Sequence, residues 1–345
     1  MPIMAVLIIA IQLKAQIPDS LGLKSLNCSH CLCQKDISPL STMISHVHPK
    51  GKWMFAYRAM TMHMEGNYLQ GKRISETKLF DNYLMGAEHM NMQMHMIMIM
   101  VGLSDKFTIM SMLNFNYSNM SMIMPENESG HTHNNDESHS HNHHMKSTGL
   151  GDTKIYALYS LINNSRHDLI GSLGLSIPSG SIKKEGHKSL YPLRMPYMMQ
   201  LGSGSFEVLP SLSYLYKINK WNLGAQINYI IRANDNVLTY RLGNELSVNS
   251  WAAYLITDWL STSIKAEYLY IGTIKGKDNS LFELAEPAAN SKNYGGNLLN
   301  IHYGVNFFIK QHRLSIELAI PITQHWQGIQ MHRKLFGYFG WQIMF

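Results

Sequence analysis

The sequence predicts an all-β protein, an antiparallel transmembrane β-barrel of about twelve strands with both termini in the periplasm. Hydrophobic and polar residues alternate along many short segments, short and long connectors alternate between these segments, and the chain ends in an alternating aromatic strand. Charged residues make up 15% of the 345 residues, against about 25% in a typical soluble domain. That composition suits a wall with one lipid face and one wet face.

The chain is expected to contain three segments. Residues 1–15 carry an apolar run that is too short to span a bilayer as a helix, and they are predicted to be a signal peptide. Because a positive n-region is missing, a buried N-terminal strand is the alternative. Residues 16–50 contain no clear strand and are expected to form a periplasmic segment that is a candidate gate or plug. Residues 51–345 are predicted to form the barrel.

The first three predicted strands, which begin at Trp53, near Ala87 and at Phe107, define the two faces of the wall. A methionine stands at every second position from Met90 to Met100, which places all six side chains on one face of a strand. Polar Arg58, Asn114 and Asn116 share faces with methionines in the other two strands. Because a charged or amide side chain is costly in lipid, the methionine faces are expected to line the lumen. Ile97, Ile99 and Val101 should then meet lipid.

Nine further strands follow the same rhythm. They are predicted at 149–162, 168–177, 205–217, 221–232, 245–257, 259–272, 298–310, 312–320 and 335–345. The long connectors are predicted at 65–86, 118–148, 178–204, 233–244, 273–297 and 321–334, and short turns occupy the other rim. The strand that ends at Phe345 resembles the signal read by the barrel-assembly machinery, so the sequence indicates the outer membrane of a Gram-negative bacterium. The alternative is the terminal strand of a soluble sandwich.

Three features suggest soft or borderline metals. The first is a cluster in the N-terminal segment, Cys28, His30, Cys31 and Cys33. Thiolates and an imidazole this close in sequence can converge on Cu(I) or Zn(II). The competing interpretation is a disulfide with one spare thiol, because the periplasm is oxidising.

The second feature is a predicted extracellular loop, 126–146, whose histidines are His131, His133, His139, His141, His143 and His144. Its composition cannot bury a core, so the loop should be solvated. Histidine at this density binds Zn(II), Cu(II) or Ni(II). A tolerated low-complexity insertion without a function is the alternative.

The third feature is the methionine face, made of Met90, Met92, Met94, Met96, Met98, Met100, Met110 and Met112. Thioethers select Cu(I) or Ag(I). Methionine also fills protein interiors as an adaptable apolar side chain, so simple packing is the competing interpretation.

Other function classes find little support. The sequence has no Gly-rich phosphate loop, no G-x-S-x-G and no H-E-x-x-H motif, so we expect no enzyme. Lysines and arginines are scattered, and the net charge of +6 is modest, so no nucleic-acid partner is expected. No cofactor is required, although bound copper or zinc is compatible with the three metal features. The expected partners are membrane lipid, the assembly machinery, and a small solute or metal ion.

Several short motifs resemble one known family. The segments 147–152 (STGLGD), 175–181 (LSIPSGS) and 200–205 (QLGSGS) are similar to those of outer-membrane transporters grouped under the phenol-degradation meta-pathway name. The segments 53–66, 240–243 and 258–262 fit a branch, of Bacteroidetes type, with Met-rich early strands and a His-bearing loop. The resemblance spans about residues 41–345. It implies a barrel without catalytic residues and without a settled substrate.

The sequence thus predicts a barrel that passes or binds a small solute, with copper or a related soft metal as the favoured solute. One alternative is a passive channel for apolar or aromatic small molecules. Another is a surface protein that sequesters metal without transporting it.

Overall fold

Twelve antiparallel strand positions form a closed wall, because the last strand of the chain pairs with the first. The structure is a computed structural model that describes residues 36–125, 143–186 and 194–345. Its strands and its short α-helix, in chain order, are β1 (Trp53–Leu69), β2 (Lys72–Arg73), α1 (Glu76–Phe80), β3 (Gly86–Ser104), β4 (Phe107–Ile123), β5 (His143–Leu150), β6 (Thr153–Asn163), β7 (His167–Ile177), β8 (Glu207–Ile218), β9 (Trp221–Arg232), β10 (Tyr240–Arg241), β11 (Glu245–Thr257), β12 (Leu260–Ile271), β13 (Lys275–Gly276), β14 (Gly296–Ile309), β15 (His312–Trp326) and β16 (Ile329–Met344).

The predicted strand number and closure are confirmed, but several boundaries were wrong. β15 and β16 are joined by a turn of two residues at 327–328, where the sequence predicted a long connector at 321–334. The predicted strand 149–162 is divided into β5 and β6, which both pair with β4. The break has a physical cause at Asp152, whose carboxylate accepts hydrogen bonds from the backbone N–H groups of Gly180 and Ser203 at 2.8 and 2.7 Å.

The outer face of the wall is apolar. Ile97 and Ile99 are each 44% exposed, as the sequence predicted, and the outward side chains of the other strands are largely leucine, isoleucine and tyrosine. Trp53, Trp221 and Trp259 are exposed near the rim where β1 begins and β16 ends. An apolar band flanked by aromatic side chains is the surface of a barrel embedded in the outer membrane of a Gram-negative bacterium. Among the described residues, no helix is long and apolar enough to cross a membrane.

The lumen near the termini is occupied by the segment that precedes β1, residues 36–48, which we name the plug. Ile44, Thr42 and His48 of the plug are buried. Arg313 donates a hydrogen bond to Asp36 at 2.9 Å, and Gln226 donates one to the backbone oxygen of Ile44 at 3.1 Å. The last part of the predicted periplasmic segment 16–50 therefore lies inside the lumen, where hydrogen bonds from Arg313 and Gln226 hold it.

Two glycines make room for the plug. A Cβ atom at Gly340 would lie 2.4 Å from Cδ1 of Leu40, so any larger residue on β16 would force this side chain of the plug to shift. At Gly102, a Cβ atom would lie 2.1 Å from the backbone oxygen of Pro49, where the plug leaves the lumen. At Gly102 the close atoms belong to the backbone, so no side chain fits there, whereas a side chain at Gly340 would require Leu40 to repack. The wall and the plug therefore fit together as one packed unit.

Candidate functional site: a methionine-lined lumen

The methionine face of the first three wall strands points into the lumen. Met90, Met98 and Met110 have no exposed surface, and Met100 and Met112 are nearly as buried. Arg58 and Asn114 are also buried, so the polar side chains that share these faces point inward as predicted. The three strands therefore present a methionine-rich surface to the inner side of the wall.

Cross-strand pairing arranges these methionines in rows around the wall. The inner row, near the chain termini, consists of Met344, Met54, Met100 and Met110. The outer row, near the long loops, consists of Met64, Met90, Met120 and Met145. Directly opposite side chains have Cβ atoms about 4.5–5.5 Å apart. Neighbouring thioethers of one row are thus close enough to share one ion.

Pairs of methionines connect the two rows. Met62 faces Met92 and Met60 faces Met94 across β1 and β3, while Met98 faces Met112 across β3 and β4. Successive residues on the lumen face are two positions apart in a strand, and each such position defines one level. Neighbouring levels are about 7 Å apart, since a strand rises about 3.4 Å per residue. We name the two rows and the levels between them the methionine ladder.

One level of the ladder interrupts the series. Met96 faces Arg58 on β1 and Asn114 on β4, so it has no methionine neighbour in its row. The Arg58 guanidinium is buried and donates a hydrogen bond to the backbone oxygen of Thr42 in the plug at 3.5 Å. The ladder therefore passes a fixed positive charge at the point where the plug meets the wall.

A buried polar network lies beside the methionine strands, on β12, β14 and β15. His302 contacts Glu317 at 2.7 Å through Nδ1 and Glu267 at 3.2 Å through Nε2. Lys265 lies 3.9 Å from Glu317, and the backbone N–H of Ser41 in the plug donates to Glu317 at 2.9 Å. Because each charged group here has an opposite charge or a hydrogen-bond partner, the network holds the plug and leaves no free ligand set.

The outer end of the lumen is covered by folded loops. Two 3-10 helices, Tyr197–Met199 and Pro287–Ala289, lie in these loops, and Tyr197 packs edge-on against Tyr240 and Tyr294. Three further loop methionines, Met85, Met195 and Met199, are buried in the same apolar cluster as the outer row. These methionines have no cross-strand partner in the outer row, and the loops cover the extracellular mouth with an apolar layer.

A cavity of about 210 Å³ lies beneath these loops. Its apolar walls include Met64 of the outer row, Met198 and Tyr294, and its polar lining includes Glu286 and Arg333. Glu286 is 1% exposed, and neither of its carboxylate oxygens has a hydrogen-bond partner among the described residues. Burial raises the pKa of this carboxyl group to about 8.

The predicted metal ligands have different outcomes. All eight predicted methionines lie on the lumen face, but nothing in the structure tests whether they bind metal. Of the loop histidines, only His144 has a described side chain, which is exposed, and the backbone of His143 begins β5. The remaining predicted ligands, together with the predicted signal peptide 1–15, lie outside the described residues: Cys28, His30, Cys31, Cys33, His131, His133, His139 and His141.

Within the described part of the chain, no three His, Cys, Asp or Glu side chains are arranged to hold a metal ion. Thioethers are therefore the metal-ligating groups that the described lumen offers. The sequence pointed to the methionines of single strands, but the rows depend on strand register, and Met344 and Met145 enter them only through pairing with β1 and β4. Glu286 carried no signal in the sequence, because an isolated acidic loop residue is unremarkable.

Comparison with solved structures agrees with the architecture. The structure is similar to the COG4313 outer membrane channel from Pseudomonas putida F1, with a TM-score of 0.59 and 13% identity, covering 90% of this chain and 100% of that chain. It is less similar to a mutant of the TodX monoaromatic hydrocarbon channel, with a TM-score of 0.43 and 10% identity, covering 86% of this chain and 91% of that chain. At such identities the likeness concerns the fold.

Sequence comparison identifies the family. No curated protein sequence matches the chain. The profile of the family described as "Putative MetA-pathway of phenol degradation" matches residues 126–307, just over half of the chain. The match and the closed barrel agree with the resemblance noted in the sequence, while the Met- and His-rich branch stays a prediction. The chain therefore belongs to this family, as an outer-membrane β-barrel.

Proposed function

We propose that the barrel passes a soft monovalent metal ion, with Cu(I) as the natural candidate, through its methionine-lined lumen. The observation that carries this proposal is the methionine ladder, in which a row of four thioethers at each end is joined to the other by three methionine pairs and the single Met96. Thioethers bind Cu(I) and discriminate against hard cations such as Mg²⁺. Conduction needs sites that bind weakly and repeatedly, and uncharged thioethers about 7 Å apart meet that requirement.

The filled lumen also favours an ion over a larger solute. The plug occupies the inner end and the loops cover the outer end, so a bulky molecule could cross only after both had moved. A bare ion needs only small shifts of flexible side chains, and methionine has three rotatable bonds. The likeness to a structure described as an outer membrane channel supports a transport role in general.

Silver binding by the refolded full-length barrel tests the proposal. Ag(I) is a soft ion that does not change its redox state during a binding measurement. Leucine substitution of the outer row, Met64, Met90, Met120 and Met145, keeps the side-chain volume and removes four thioethers. We expect silver affinity to fall at least tenfold. The matched control replaces four methionines outside the rows, Met43, Met85, Met195 and Met199, and should change affinity less than threefold. Equal losses of silver affinity in both variants would contradict a defined ion path along the methionine rows.

A passive channel for small apolar molecules is the second candidate, and the cavity beneath the loops is the observation that favours it. Uptake of aromatic solutes into proteoliposomes, measured with and without Ag(I), separates the two candidates. An ion path predicts silver uptake without aromatic uptake. A passive channel predicts aromatic uptake that silver does not inhibit.

A further inference from the structure

The cavity beneath the outer loops contains polar groups that the fold does not use. Neither Glu286 carboxylate oxygen nor the Trp326 indole Nε1 has a hydrogen-bond partner among the described residues, although both side chains are buried. Unpaired buried polar groups cost about 1–3 kcal/mol each. Two of them in the lining of one cavity indicate that a bound molecule supplies the missing partners.

A positive charge faces the same cavity. The Arg333 guanidinium lies 4.9 Å from the ring centroid of Trp326, and it makes no ion pair with any described residue. Glu245, which also lines the cavity, already receives a hydrogen bond from Arg232 at 2.8 Å. The cavity therefore offers a cation, which Glu245 and Glu267 attract without forming an ion pair, beside an indole N–H donor. Such a combination suits an anionic group and disfavours a metal ion or an amine.

The protonation state of Glu286 strengthens the preference of the cavity for an anionic group. Burial raises the pKa of its carboxyl group to about 8, so the group is neutral at pH 7 and can donate a hydrogen bond. The other titratable groups facing the cavity are Tyr197 on the 3-10 helix, Tyr294 on the same loop as Glu286, Arg333 on β16 and Glu245 on β11. Burial raises the pKa of both tyrosines, so they stay neutral as well.

We propose that this cavity is a binding site for a small organic carboxylate with an apolar body. The ligand carboxylate pairs with the Arg333 guanidinium and accepts hydrogen bonds from Trp326 and protonated Glu286. Its apolar part packs against Met198, Ile274 and Tyr294. A cavity of about 210 Å³ accommodates a molecule of the size of benzoate. The site does not depend on metal conduction, so failure of the ion path leaves it standing.

Three ligands that share one ring test the chemistry. Benzoate, benzyl alcohol and benzylamine are titrated calorimetrically into the full-length barrel at pH 7. We expect benzoate to bind at least tenfold more tightly than the alcohol and benzylamine to bind most weakly. Equal binding of acid and alcohol, a preference for the amine, or no binding of any of the three would overturn the proposal.

Variants distinguish the assigned roles. Arg333→Gln should remove the preference for benzoate over the alcohol, while Met198→Trp, which fills the cavity, should weaken both ligands. In the unmodified chain, benzoate affinity should fall as the pH rises through about 8, because ionised Glu286 repels the carboxylate. Glu286→Gln keeps the shape and cannot ionise, so its benzoate affinity should stay constant between pH 6.5 and 9.5. The same pH dependence in Glu286→Gln, in a folded barrel, would overturn the assignment of Glu286.

Discussion

Arg58 offers a direct way to change ion passage, because it places a fixed positive charge at the level of Met96 in the methionine ladder. Arg58 and Met96 face each other across β1 and β3, and the guanidinium is buried against the plug. Asp36 and Glu317 attract it electrostatically but form no ion pair with it, and its one hydrogen bond within the described residues goes to the backbone oxygen of Thr42. A soft cation at Met96 is therefore repelled.

The size of this barrier follows from Coulomb's law. The Cβ atoms of directly opposite residues lie about 5 Å apart, and because both side chains are long we take about 7 Å as the distance from the guanidinium to an ion at Met96. At that distance two unit charges repel each other by about 2 kcal/mol at an effective dielectric constant of about 20. Each 1.4 kcal/mol corresponds to about a factor of ten, so removing the charge should raise silver flux about thirtyfold. Arg58→Met removes the charge and adds a thioether, while Arg58→Gln removes the charge alone.

Silver flux into proteoliposomes, followed with an internal silver-sensitive electrode or dye, provides the assay. We expect the flux to increase in the order Arg58→Lys, Arg58→Gln, Arg58→Met, with Arg58→Lys close to the unmodified chain. Potassium flux serves as the control for a general leak caused by a displaced plug. Unchanged silver flux in Arg58→Met, or an equal rise in potassium flux, would refute the reasoning.

Other predictions concern the plug, the wall and the assembly signal. Arg313→Met removes the ion pair that ties Asp36 of the plug to β15 and leaves the carboxylate only its contacts with His46 and Ser45 inside the plug. Loss of a buried partner costs up to about 3–5 kcal/mol, so the plug should leave the lumen and single-channel conductance should rise; unaltered conductance in a folded barrel would contradict this. Ile264 faces lipid and is 55% exposed, so Ile264→Arg puts a charge on the lipid face. The free energy of unfolding in lipid should fall by about 2–4 kcal/mol relative to Ile264→Leu, and a smaller loss would mean that this face does not meet the bilayer centre. Phe345→Ala should lower the amount of folded barrel in cells, measured by heat-modifiable gel mobility, but not refolding in detergent; equal loss in both would argue against recognition by the assembly machinery.

The wall and its two faces could be predicted from sequence because alternation has a short period. Arg58 and Asn114 each identified the lumen face of a strand, since a polar side chain in lipid is costly. The strand count followed from the number of alternating segments. The strand ends were less predictable. The predicted strand stopped at residue 320, before Pro321, but β15 continues through this proline to Trp326.

The site depends on contacts that no local pattern encodes. Met344 joins the inner row because β16 pairs with β1 across almost the whole chain length. The plug has no periodicity, and its position is fixed by partners far away in sequence, such as Arg313 and Gln226. Glu286 becomes notable only when the loops bury it without a partner. Long-range register and burial therefore supply what the sequence could not.

The central claim is that the thioethers of the ladder carry a soft ion through the lumen. Its most direct test is silver flux through the barrel after leucine substitution of Met94, Met96 and Met98, which face the lumen between the two rows. The ion path predicts that silver flux falls at least tenfold, while the fold and the potassium leak stay unchanged. Unchanged silver flux in this variant would show that the methionines serve only to pack the interior and would contradict the account.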